Sequence, residues 1–311
     1  MPTLEAHVVA LPMRVPFRGV TTREAVLIRG SSGWGEFAPF IEYDDEESAR
    51  WLAAALEAAE GTWPMALRDA VPVNATVPAV PAAEVAAVLA RFPGCTTAKV
   101  KVAQAGQSLQ DDVERVAAVR DLVPNIRVDA NGAWSVEQAV TALRALGSLE
   151  YAEQPCATVP ELAAVRRRVD VPIAADESIR KASDPLLVAR AAAADVVVLK
   201  VAPLGGVAAA LRIAEECGLP VVVSSALDTS IGIRAGVALA AALPSLPFAC
   251  GLATTSLMAG DVVTDSLDGS GGWIRVRDVT PSADLLARYA APPDREQWWR
   301  ERLARVLELV A

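Results

Sequence analysis

The sequence predicts an α/β protein built around a TIM-like (β/α) barrel, with a small α+β domain ahead of it. From residue 72 onward, short apolar runs alternate with amphipathic helical segments at intervals of roughly 24 residues, the spacing of strand–helix units in such barrels. Hydrophobic residues make up 53% of the chain and aromatic residues only 5%. Ala, Val and Leu therefore fill the core, which favours α/β layers over an aromatic-rich β-sandwich.

Eight apolar runs are expected to form the barrel strands. They lie at 72–77, 97–102, 125–130, 149–154, 171–176, 196–201, 219–225 and 246–251. An open, doubly wound parallel sheet is the competing arrangement. Such a sheet is expected to carry a glycine-rich phosphate-binding turn after its first strand, and no such turn follows the first run here. The regular alternation therefore favours a closed barrel.

The two ends of the chain differ from this repeat. Residues 1–71 contain two strand-like runs followed by a helical segment, which is typical of a small α+β domain. After residue 255 the alternation stops, and an amphipathic helix is predicted at 295–310. We therefore expect an N-terminal domain at 1–71, a barrel at 72–255, and a C-terminal segment at 256–311 that packs back against the N-terminal domain.

Composition limits the partners and the compartment. The net charge is −9, the isoelectric point is near 4.9, and no basic block occurs, which argues against a nucleic-acid partner. No signal peptide and no apolar run long enough to span a membrane are seen. The four cysteines are far apart and unpatterned, as in a cytoplasmic protein with free thiols.

The chain contains a single histidine, His7, near its start. A Ser-His-Asp triad or a histidine-based metal site is therefore excluded in practice. Acid–base chemistry has to come from Lys, Asp, Glu or Tyr.

Charged residues recur where the predicted strands end, which is the catalytic face of a (β/α) barrel. In the second strand Lys99 and Lys101 share one face, because side chains alternate along a strand, and their apolar neighbours take the face that helices cover. The full set of these charges is Lys99, Lys101, Arg127, Asp129, Glu153, Asp176 and Lys200. Since the strands follow one another around the barrel, the set is expected to surround one mouth.

Asp129, Glu153 and Asp176 come from successive strands and so become three adjacent carboxylates. They would repel one another strongly unless a cation lay among them. Hard oxygen ligands without histidine or thiolate indicate Mg²⁺ rather than Zn²⁺. The sequence thus predicts a magnesium site with Lys101 and Lys200 on either side of it.

Each of these residues also has a structural explanation when taken singly. Asp129 precedes Asn-Gly, a turn signal, and a lone acid after a strand is more often a helix N-cap. Glu177 is an alternative ligand to Asp176, although strand phase favours Asp176. The Lys-Val-Lys run is compatible with a solvated edge strand, and Arg127 with a simple ion pair. These explanations become poor when five suitable residues share one phase of five successive units.

The motifs at these positions resemble those of the enolase superfamily, in its muconate-lactonising-enzyme-like subgroup. The matching motifs are KVK (99–101), VDANGAW (128–134), EQP (153–155), DES (176–178) and LKVAPLGG (199–206). Each motif is weak alone, but the resemblance covers nearly the whole chain. It implies a barrel capped by the N-terminal domain and completed by the C-terminal segment. It also implies an enzyme that abstracts a proton next to a carboxylate with the help of Mg²⁺.

The resemblance also implies a role for each residue. Lys101 would be the base, with its pKa lowered by nearby Lys99, Lys200 and Mg²⁺. Lys200 would lie across the substrate as a fixed positive charge or as an acid. The three carboxylates would hold Mg²⁺, which stabilises an ene-diolate. Lys99 would also contribute to the substrate site.

Within the subgroup, the o-succinylbenzoate synthase family matches best. Arg127 gives an RVDAN motif similar to that family's, and the segments 221–232 and 251–263 resemble its seventh and eighth strand regions. This likeness implies substrate contacts from Arg127, Ser224, Ser225 and Gly251. Dipeptide epimerases commonly carry an Asp-x-Asp pair after strand eight, whereas no acid precedes Asp261 here.

That family removes water from 2-succinyl-6-hydroxy-2,4-cyclohexadiene-1-carboxylate by syn elimination, giving o-succinylbenzoate on the menaquinone route. We therefore expect a small dianionic carboxylate as substrate and the loop 16–24 as a specificity lid, in which Arg18 and Arg23 either meet the substrate or are solvated. The alternatives are an N-acylamino-acid racemase, a dipeptide epimerase, a muconate cycloisomerase, or a barrel that binds Mg²⁺ without catalysis. The sequence does not fix the oligomeric state.

Overall fold

The computed structural model describes residues 5–17, 19–61, 63–181 and 184–310. The described chain begins with a three-stranded antiparallel sheet, in the order β1-β2-β3, against which a helix packs. These elements are β1 (Glu5–Phe17), β2 (Val20–Arg29), β3 (Trp34–Phe37) and α1 (Asp45–Glu60). Together they form the α+β domain that the sequence predicts.

After a short strand β4 (Ala70–Pro72), seven parallel strands lie side by side in chain order and form most of the barrel wall. They are β5 (Ala75–Val77), β6 (Thr97–Lys101), β7 (Asn125–Asp129), β8 (Tyr151–Glu153), β9 (Ile173–Ala175), β10 (Val196–Leu199) and β11 (Val221–Val223). Each of them lies inside one of the first seven predicted runs.

The eighth strand is reduced to two residues. Cys250 forms a parallel bridge to Val73 and Gly251 forms one to Ser224, so this pair joins the first barrel strand to the seventh. The backbone amides of the two residues donate to the flanking strands at 2.7 and 2.8 Å. The predicted eighth run is correct in place but too long, because Pro247 has no N–H to give to a strand ladder.

Helices follow the barrel strands, and two short ones, after β9 and β10, lie at the barrel mouth. They are α2 (Val85–Leu89), α3 (Leu109–Arg120), α4 (Val136–Leu146), α5 (Val159–Arg166), α6 (Glu177–Arg180), α7 (Leu187–Arg190), α8 (Val201–Leu204), α9 (Val207–Cys217) and α10 (Ser230–Ala242), with α11 (Ala283–Arg288) and α12 (Pro293–Val310) in the C-terminal segment. Helices α3, α4 and α5 each begin with a capping box, headed by Ser108, Ser135 and Thr158. Short 3₁₀ turns lie at Ala82–Glu84, Ala253–Leu257 and Ser270–Gly272.

The barrel interior has an apolar floor beneath a charged layer. The floor consists of Tyr151, Ala174, Val196, Val198 and Val222, with Phe248 packed against them. The strand register places Lys101, Asp129 and Glu153 at one level near the carboxyl ends of the strands. It places Lys99, Arg127 and Tyr151 at a level two residues lower. Residues on the same inward face therefore lie at different depths.

The C-terminal segment returns to the N-terminal domain. Strand β12 (Trp273–Arg275) pairs antiparallel with β4, and α12 packs along α1 and β1. Arg302 of α12 is buried and donates to Tyr43 O at 2.6 Å and to Ser48 Oγ at 2.8 Å. The domain limits at residues 71 and 255 stay predictions.

Two carboxylates of the N-terminal domain dock on helices of the barrel. Glu57 of α1 accepts a bond from Val207 N at 2.6 Å, at the start of α9. Glu36 of β3 accepts one from Thr229 N at 3.1 Å, at the start of α10. Gly206 makes room for this docking, since a Cβ there would lie 2.6 Å from Glu57 Oε2. Helix N-termini carry partial positive charge, which favours the Glu57 carboxylate, and the two contacts together hold the domain over the barrel mouth.

All four cysteines are buried free thiols, in agreement with the sequence. Among the helices of the described ranges, none combines the length and the apolar character that crossing a membrane requires.

Candidate active site

A small cavity lies where the N-terminal domain meets the carboxyl ends of the barrel strands. The predicted site residues that line it are Lys99, Lys101, Asp129, Lys200, Ser224, Ser225 and Gly251. Glu153 and Asp176 are ion-paired with lysines that line it. Three aromatic side chains of the N-terminal domain cover it, namely Phe17, Phe40 and Trp51. The structure thus brings together most of the residues that the sequence singled out.

Lysine is rare in this chain, so its placement is informative. Four of the 29 basic residues are lysines, and three of the four, Lys99, Lys101 and Lys200, line this cavity. The other basic residues of the chain are all arginines. Arginine keeps its proton in proteins, whereas a buried lysine gives its proton up more readily. The concentration of lysines in one buried site therefore indicates proton transfer.

On one side of the cavity the two lysines of β6 contact two carboxylates. Lys101 Nζ lies 2.5 Å from Asp129 Oδ2 and 2.7 Å from Asn131 Oδ1. Lys99 Nζ lies 2.7 Å from Glu153 Oε1 and 3.2 Å from Asp129 Oδ2. Strand alternation puts both ammonium groups inside the barrel, and both lysines are buried.

On the other side Asp176 is held between two cations. Lys200 Nζ lies 2.5 Å from Asp176 Oδ2, and Arg180 Nε lies 3.2 Å from Asp176 Oδ1. Lys200 immediately follows β10 and so projects from a strand end, which explains a lysine after four buried apolar residues. The metal-ligand alternative, Glu177, accepts a bond from Arg180 Nη2 at 2.6 Å.

The carboxylates differ in their readiness to ionise. Burial, together with the Asp129 carboxylate, raises the pKa of Glu153 to about 7. Burial alone would raise the pKa of Asp129, but the Lys101 and Lys99 ammonium groups hold it well below its usual range. In the same way Lys200 and Arg180 outweigh burial and lower the pKa of Asp176 to about 2.

The two lysines of β6 have opposite pKa shifts. Burial lowers the pKa of Lys101, and the Lys99 ammonium adds to this effect, against the opposing pull of Asp129. Burial would also lower the pKa of Lys99, but the carboxylates of Glu153 and Asp129 raise it above its ordinary value. Lys99 is therefore a permanent cation, and Lys101 is the better proton acceptor of the pair.

The carboxylate set fits a divalent cation. Its donors are the hard oxygens that Mg²⁺ takes, and Glu153 Oε2 is buried without a hydrogen-bond partner. The raised pKa of Glu153 also shows that the site has room for more positive charge. Within the described ranges no three acidic, histidine or cysteine side chains are arranged to hold a metal as they stand, because lysine and arginine cations pair with the carboxylates.

The last two barrel strands contribute small polar groups. Ser225 Oγ donates to Gly251 O at 3.0 Å and lies 2.7 Å from Thr254 Oγ1. A Cβ on Gly251 would lie 2.5 Å from Ser224 Oγ and 3.2 Å from Ser224 Cβ, so a larger residue there requires the Ser224 side chain to shift. Ser224, Ser225 and Gly251 line the cavity where the sequence expects substrate contacts.

Arg127 lies away from the expected substrate contact. It is fully buried, and Nη1 donates to Asn74 Oδ1 at 3.1 Å and to Ala249 O at 2.6 Å. Its guanidinium lies 4.7 Å from the Tyr151 ring centroid and 5.6 Å from that of Phe248, and Nε donates to a Glu150 carboxylate oxygen. These contacts belong to the barrel floor. Arg127 thus forms the simple ion pair that the sequence allows and is not among the residues that line the cavity, and its contact with the substrate stays a prediction.

The predicted lid is only partly described. Arg18 lies outside the described residues. Arg23 is buried and donates to the carbonyls of Leu227, at 3.0 Å, and Ala38. It thus ties the N-terminal domain to the loop after β11. Its burial shows that the expectation of a solvated side chain is wrong, and its contact with the substrate stays a prediction.

Several cavity residues were missed by the sequence reasoning. They include Asn131, Arg180, Thr76, Leu227, Thr254, and the aromatic residues Phe40 and Trp51, whereas Phe17 lies in the predicted lid 16–24. Asn131 stands inside a matching motif, and its positive φ of 47° places its amide beside Lys101. Arg180 lies two residues after the DES motif, and this position was the signal that could have placed it at the site. Nothing in the local sequence distinguishes Phe40 and Trp51 from ordinary core residues.

Two family models match this architecture: Enolase N-terminal domain-like at residues 8–59 and Enolase C-terminal domain-like at residues 82–281. The chain therefore belongs to the enolase superfamily. Within it, the chain belongs with the o-succinylbenzoate synthases. A protein of that name in Mycobacterium tuberculosis is 60% identical over 311 residues, 97% of this chain and 95% of the relative. Another, in Mycobacterium leprae, is 61% identical over 300 residues, 96% of this chain and 90% of the relative.

Solved structures agree on the fold. Muconate lactonizing enzyme from Pseudomonas putida has a TM-score of 0.78 at 21% identity, over 93% of this chain and 99% of that one. The L-Ala-D/L-Glu epimerase from Bacillus subtilis has a TM-score of 0.75 at 25% identity, over 90% and 96%. The capped barrel and the family predicted from the motifs are both confirmed.

Proposed function

We propose that this protein is an o-succinylbenzoate synthase that removes water from 2-succinyl-6-hydroxy-2,4-cyclohexadiene-1-carboxylate. The observation that carries the proposal is the meeting of Lys101 and Lys200 in one buried cavity, each against its own carboxylate, 2.5 Å away in both cases. The relatives of that name, 60% identical over nearly the whole chain, support this choice of substrate.

Lys101 begins the reaction. In its neutral form, Lys101 Nζ takes the proton from the ring carbon that bears the carboxylate, and the electron pair of the broken C–H bond moves towards the carboxylate oxygens. The lowered pKa of Lys101 makes this neutral form more accessible than in an ordinary lysine. The Lys200 ammonium acts on the opposite face as a fixed positive charge for the ene-diolate that forms.

The same lysine completes the elimination. Protonated Lys101 returns its proton to the departing hydroxyl group, and water leaves from the face on which the proton was taken. One residue thus serves as base and then as acid, which requires a syn elimination. Aromatisation of the ring drives the second step, so the main task of the protein is to stabilise the ene-diolate.

Asp129, Glu153 and Asp176 are the residues that would hold a divalent cation, and Mg²⁺ suits their all-carboxylate set. When bound, the ion supplies Lewis-acid stabilisation to the negative charge that develops on the substrate carboxylate. The backbone N–H of Asn131 donates to Asp129 Oδ1 at 3.1 Å and so orients that carboxylate.

The cover of the cavity excludes water from the reaction. Phe17, Phe40 and Trp51 present apolar surface to a small dianion from the side of the N-terminal domain. In a site with little water, the lysine charges act more strongly on the developing negative charge than they would in solution. The four buried thiols fit a reducing compartment, so we place the enzyme in the cytoplasm.

A racemase activity towards N-acylamino acids is the second candidate. This activity is favoured because Lys101 and Lys200 pair with different carboxylates, Asp129 and Asp176 respectively. One lysine can then remove an α-proton and the other can return one. This activity uses the same apparatus and is tested in the same assay series.

The deciding experiment follows the aromatic product by ultraviolet absorbance, using purified protein, Mg²⁺ and the cyclohexadiene substrate. Lys101→Arg keeps the charge but has no accessible neutral form, and we expect it to lower kcat about 10³-fold or more. Lys181→Arg, the same change at the one lysine outside the cavity, should keep wild-type activity. Chelation of the metal should abolish turnover, and added Mg²⁺ should restore it.

Two results would contradict the proposal. If Lys101→Arg keeps more than a tenth of the wild-type rate, Lys101 is not the base. If the wild type exchanges or racemises N-acylamino acids but does not dehydrate the cyclohexadiene, the superfamily chemistry holds and the substrate is wrong.

A further inference from the structure

We propose that Arg180 is a positioning residue that orients Asp176 for the divalent cation, and that Tyr43 of the N-terminal domain fixes Arg180 in place. Docking of the N-terminal domain and affinity for the metal are then coupled through one chain of contacts, Tyr43–Arg180–Asp176. The inference rests on the proposed function in one respect, the assignment of Asp176 as a metal ligand.

The Arg180 guanidinium is held from three directions. Nε donates to Asp176 Oδ1 at 3.2 Å, Nη2 donates to Glu177 Oε1 at 2.6 Å, and Nη1 donates to Tyr43 Oη at 2.9 Å. Arg180 is only 4% exposed although it lines the cavity. A planar guanidinium bonded at all three nitrogens has little freedom to rotate, so it holds the carboxylate in one orientation.

Asp176 pairs with two cations, Arg180 and Lys200, and Lys200 also has a role in the proposed reaction. Lys200 Nζ lies 2.5 Å from Asp176 Oδ2 in this structure. In the proposed reaction the Lys200 ammonium faces the substrate, and it then contributes less to orienting Asp176. Arg180 is the cation that remains on Asp176. Partners of this kind behind a metal ligand typically affect metal affinity strongly, because a freely rotating carboxylate binds less well.

Tyr43 belongs to the segment between β3 and α1, so the position of its hydroxyl depends on how the N-terminal domain docks on the barrel. Its ring is 5% exposed and packs edge-on against Phe40, at 5.6 Å between centroids, and near Trp51 at 6.0 Å. Both of these aromatic residues cover the cavity. Arg302 of α12 donates to the Tyr43 carbonyl at 2.6 Å. The hydroxyl therefore reaches the barrel from a rigid support.

A different role is chemically reasonable for a buried arginine that lines the cavity, namely binding of the second substrate carboxylate. Measurements of metal affinity and of KM distinguish this role from that of a positioning residue. A positioning residue changes metal affinity in the absence of substrate, whereas a substrate-binding residue changes KM and leaves metal affinity alone.

The test measures Mg²⁺ and Mn²⁺ affinity of the substrate-free protein by titration calorimetry, beside steady-state kinetics. Tyr43→Phe removes one hydroxyl, and we expect metal affinity to fall about 3- to 10-fold, the value of one hydrogen bond. Arg180→Gln should lower it about 10- to 100-fold. Arg180→Lys should recover little, because a lysine does not reproduce the three-way contact. Tyr289→Phe, which removes a hydroxyl elsewhere, is the matched control and should bind metal normally.

At saturating metal, Tyr43→Phe should keep kcat within about threefold of wild type, since Tyr43 touches no reacting atom. Unchanged metal affinity in both Tyr43→Phe and Arg180→Lys overturns the inference, and so does a tenfold rise in substrate KM with normal metal affinity. Circular dichroism shows which variants fold, and Tyr43→Phe decides the matter if the Arg180 variants do not. A wild type that binds Mg²⁺ but does not dehydrate the cyclohexadiene fails the proposed function only, because the titration uses no substrate.

Discussion

Arg127 offers the sharpest test of the structural reasoning, since its motif points to the substrate and its contacts point to the barrel floor. Arg127→Met keeps the length and apolar stem of the side chain but removes the guanidinium. It leaves Asn74 Oδ1 and Ala249 O, which accept bonds at 3.1 and 2.6 Å, without their donor. It also removes the ion pair to Glu150 and the cation over the Tyr151 ring, 4.7 Å from its centroid.

The cost can be worked out from these contacts. The two buried acceptors left without a donor typically cost about 1–3 kcal/mol each. Loss of the ion pair adds less, because the Glu150 side chain is 28% exposed, so about 3–5 kcal/mol is expected in total. An unfolding entropy of about 2.1 cal/mol/K per residue gives ~0.65 kcal/mol/K for this chain. The expected fall in the unfolding midpoint is therefore about 5–8 °C. Substrate KM at a temperature where the variant is folded should stay within about twofold of wild type.

The assay is thermal unfolding followed by circular dichroism, beside the ultraviolet turnover assay. Arg168→Met is the matched control, because Arg168 pairs with Glu137 at the surface and its removal should cost about 0–1 kcal/mol. A midpoint within 2 °C of wild type, combined with a KM raised tenfold or more, would refute the reasoning. Such a result would indicate that Arg127 contacts the substrate.

Two further predictions concern the short eighth strand and the docking of the N-terminal domain. Gly251→Ala places a Cβ 2.5 Å from Ser224 Oγ and 3.2 Å from Ser224 Cβ, so stability should fall by about 1–3 kcal/mol and cavity shape should change; normal stability and kcat/KM would contradict the close approach. Burial and the Asp228 carboxylate raise the pKa of Glu36 to about 8 from 4.5. The folded state therefore keeps a proton that the unfolded state loses between these values, and stability should fall as the pH rises through this window. Glu36→Gln should flatten that dependence in denaturation measured from about pH 5 to 8, and an unchanged slope would exclude Glu36 as its source.

The features that repeat along the chain were the ones best predicted from the sequence. Seven of the eight strands lie inside the predicted runs, because strand–helix alternation leaves a hydrophobic period that is local. The eighth run was placed correctly, but its length depended on Pro247. The charges at the strand ends also met in space, since closure of the barrel follows from the number and order of the strands.

The depth at which an inward-facing side chain lies in the barrel could not be predicted from the sequence in the same way. Arg127 and Asp129 share an inward face, as alternation requires, yet Asp129 lines the cavity while Arg127 lies two residues lower in the floor. Alternation specifies the face of a strand but not the level at which the cavity ends. That level depends on which side chains from other strands fill the interior, here Tyr151 and Phe248.

By itself, then, the sequence determined the order of strands, the inward face of each strand and the chemical character of the site. These follow from local periodicity and from residue type. Only the tertiary structure decided that Arg23 supports a loop, that Tyr43 reaches Arg180, and that three aromatic side chains of the N-terminal domain cover the cavity. Each of these contacts joins segments far apart in the chain, and their geometry is set by how the N-terminal domain docks on the barrel, which no local pattern records.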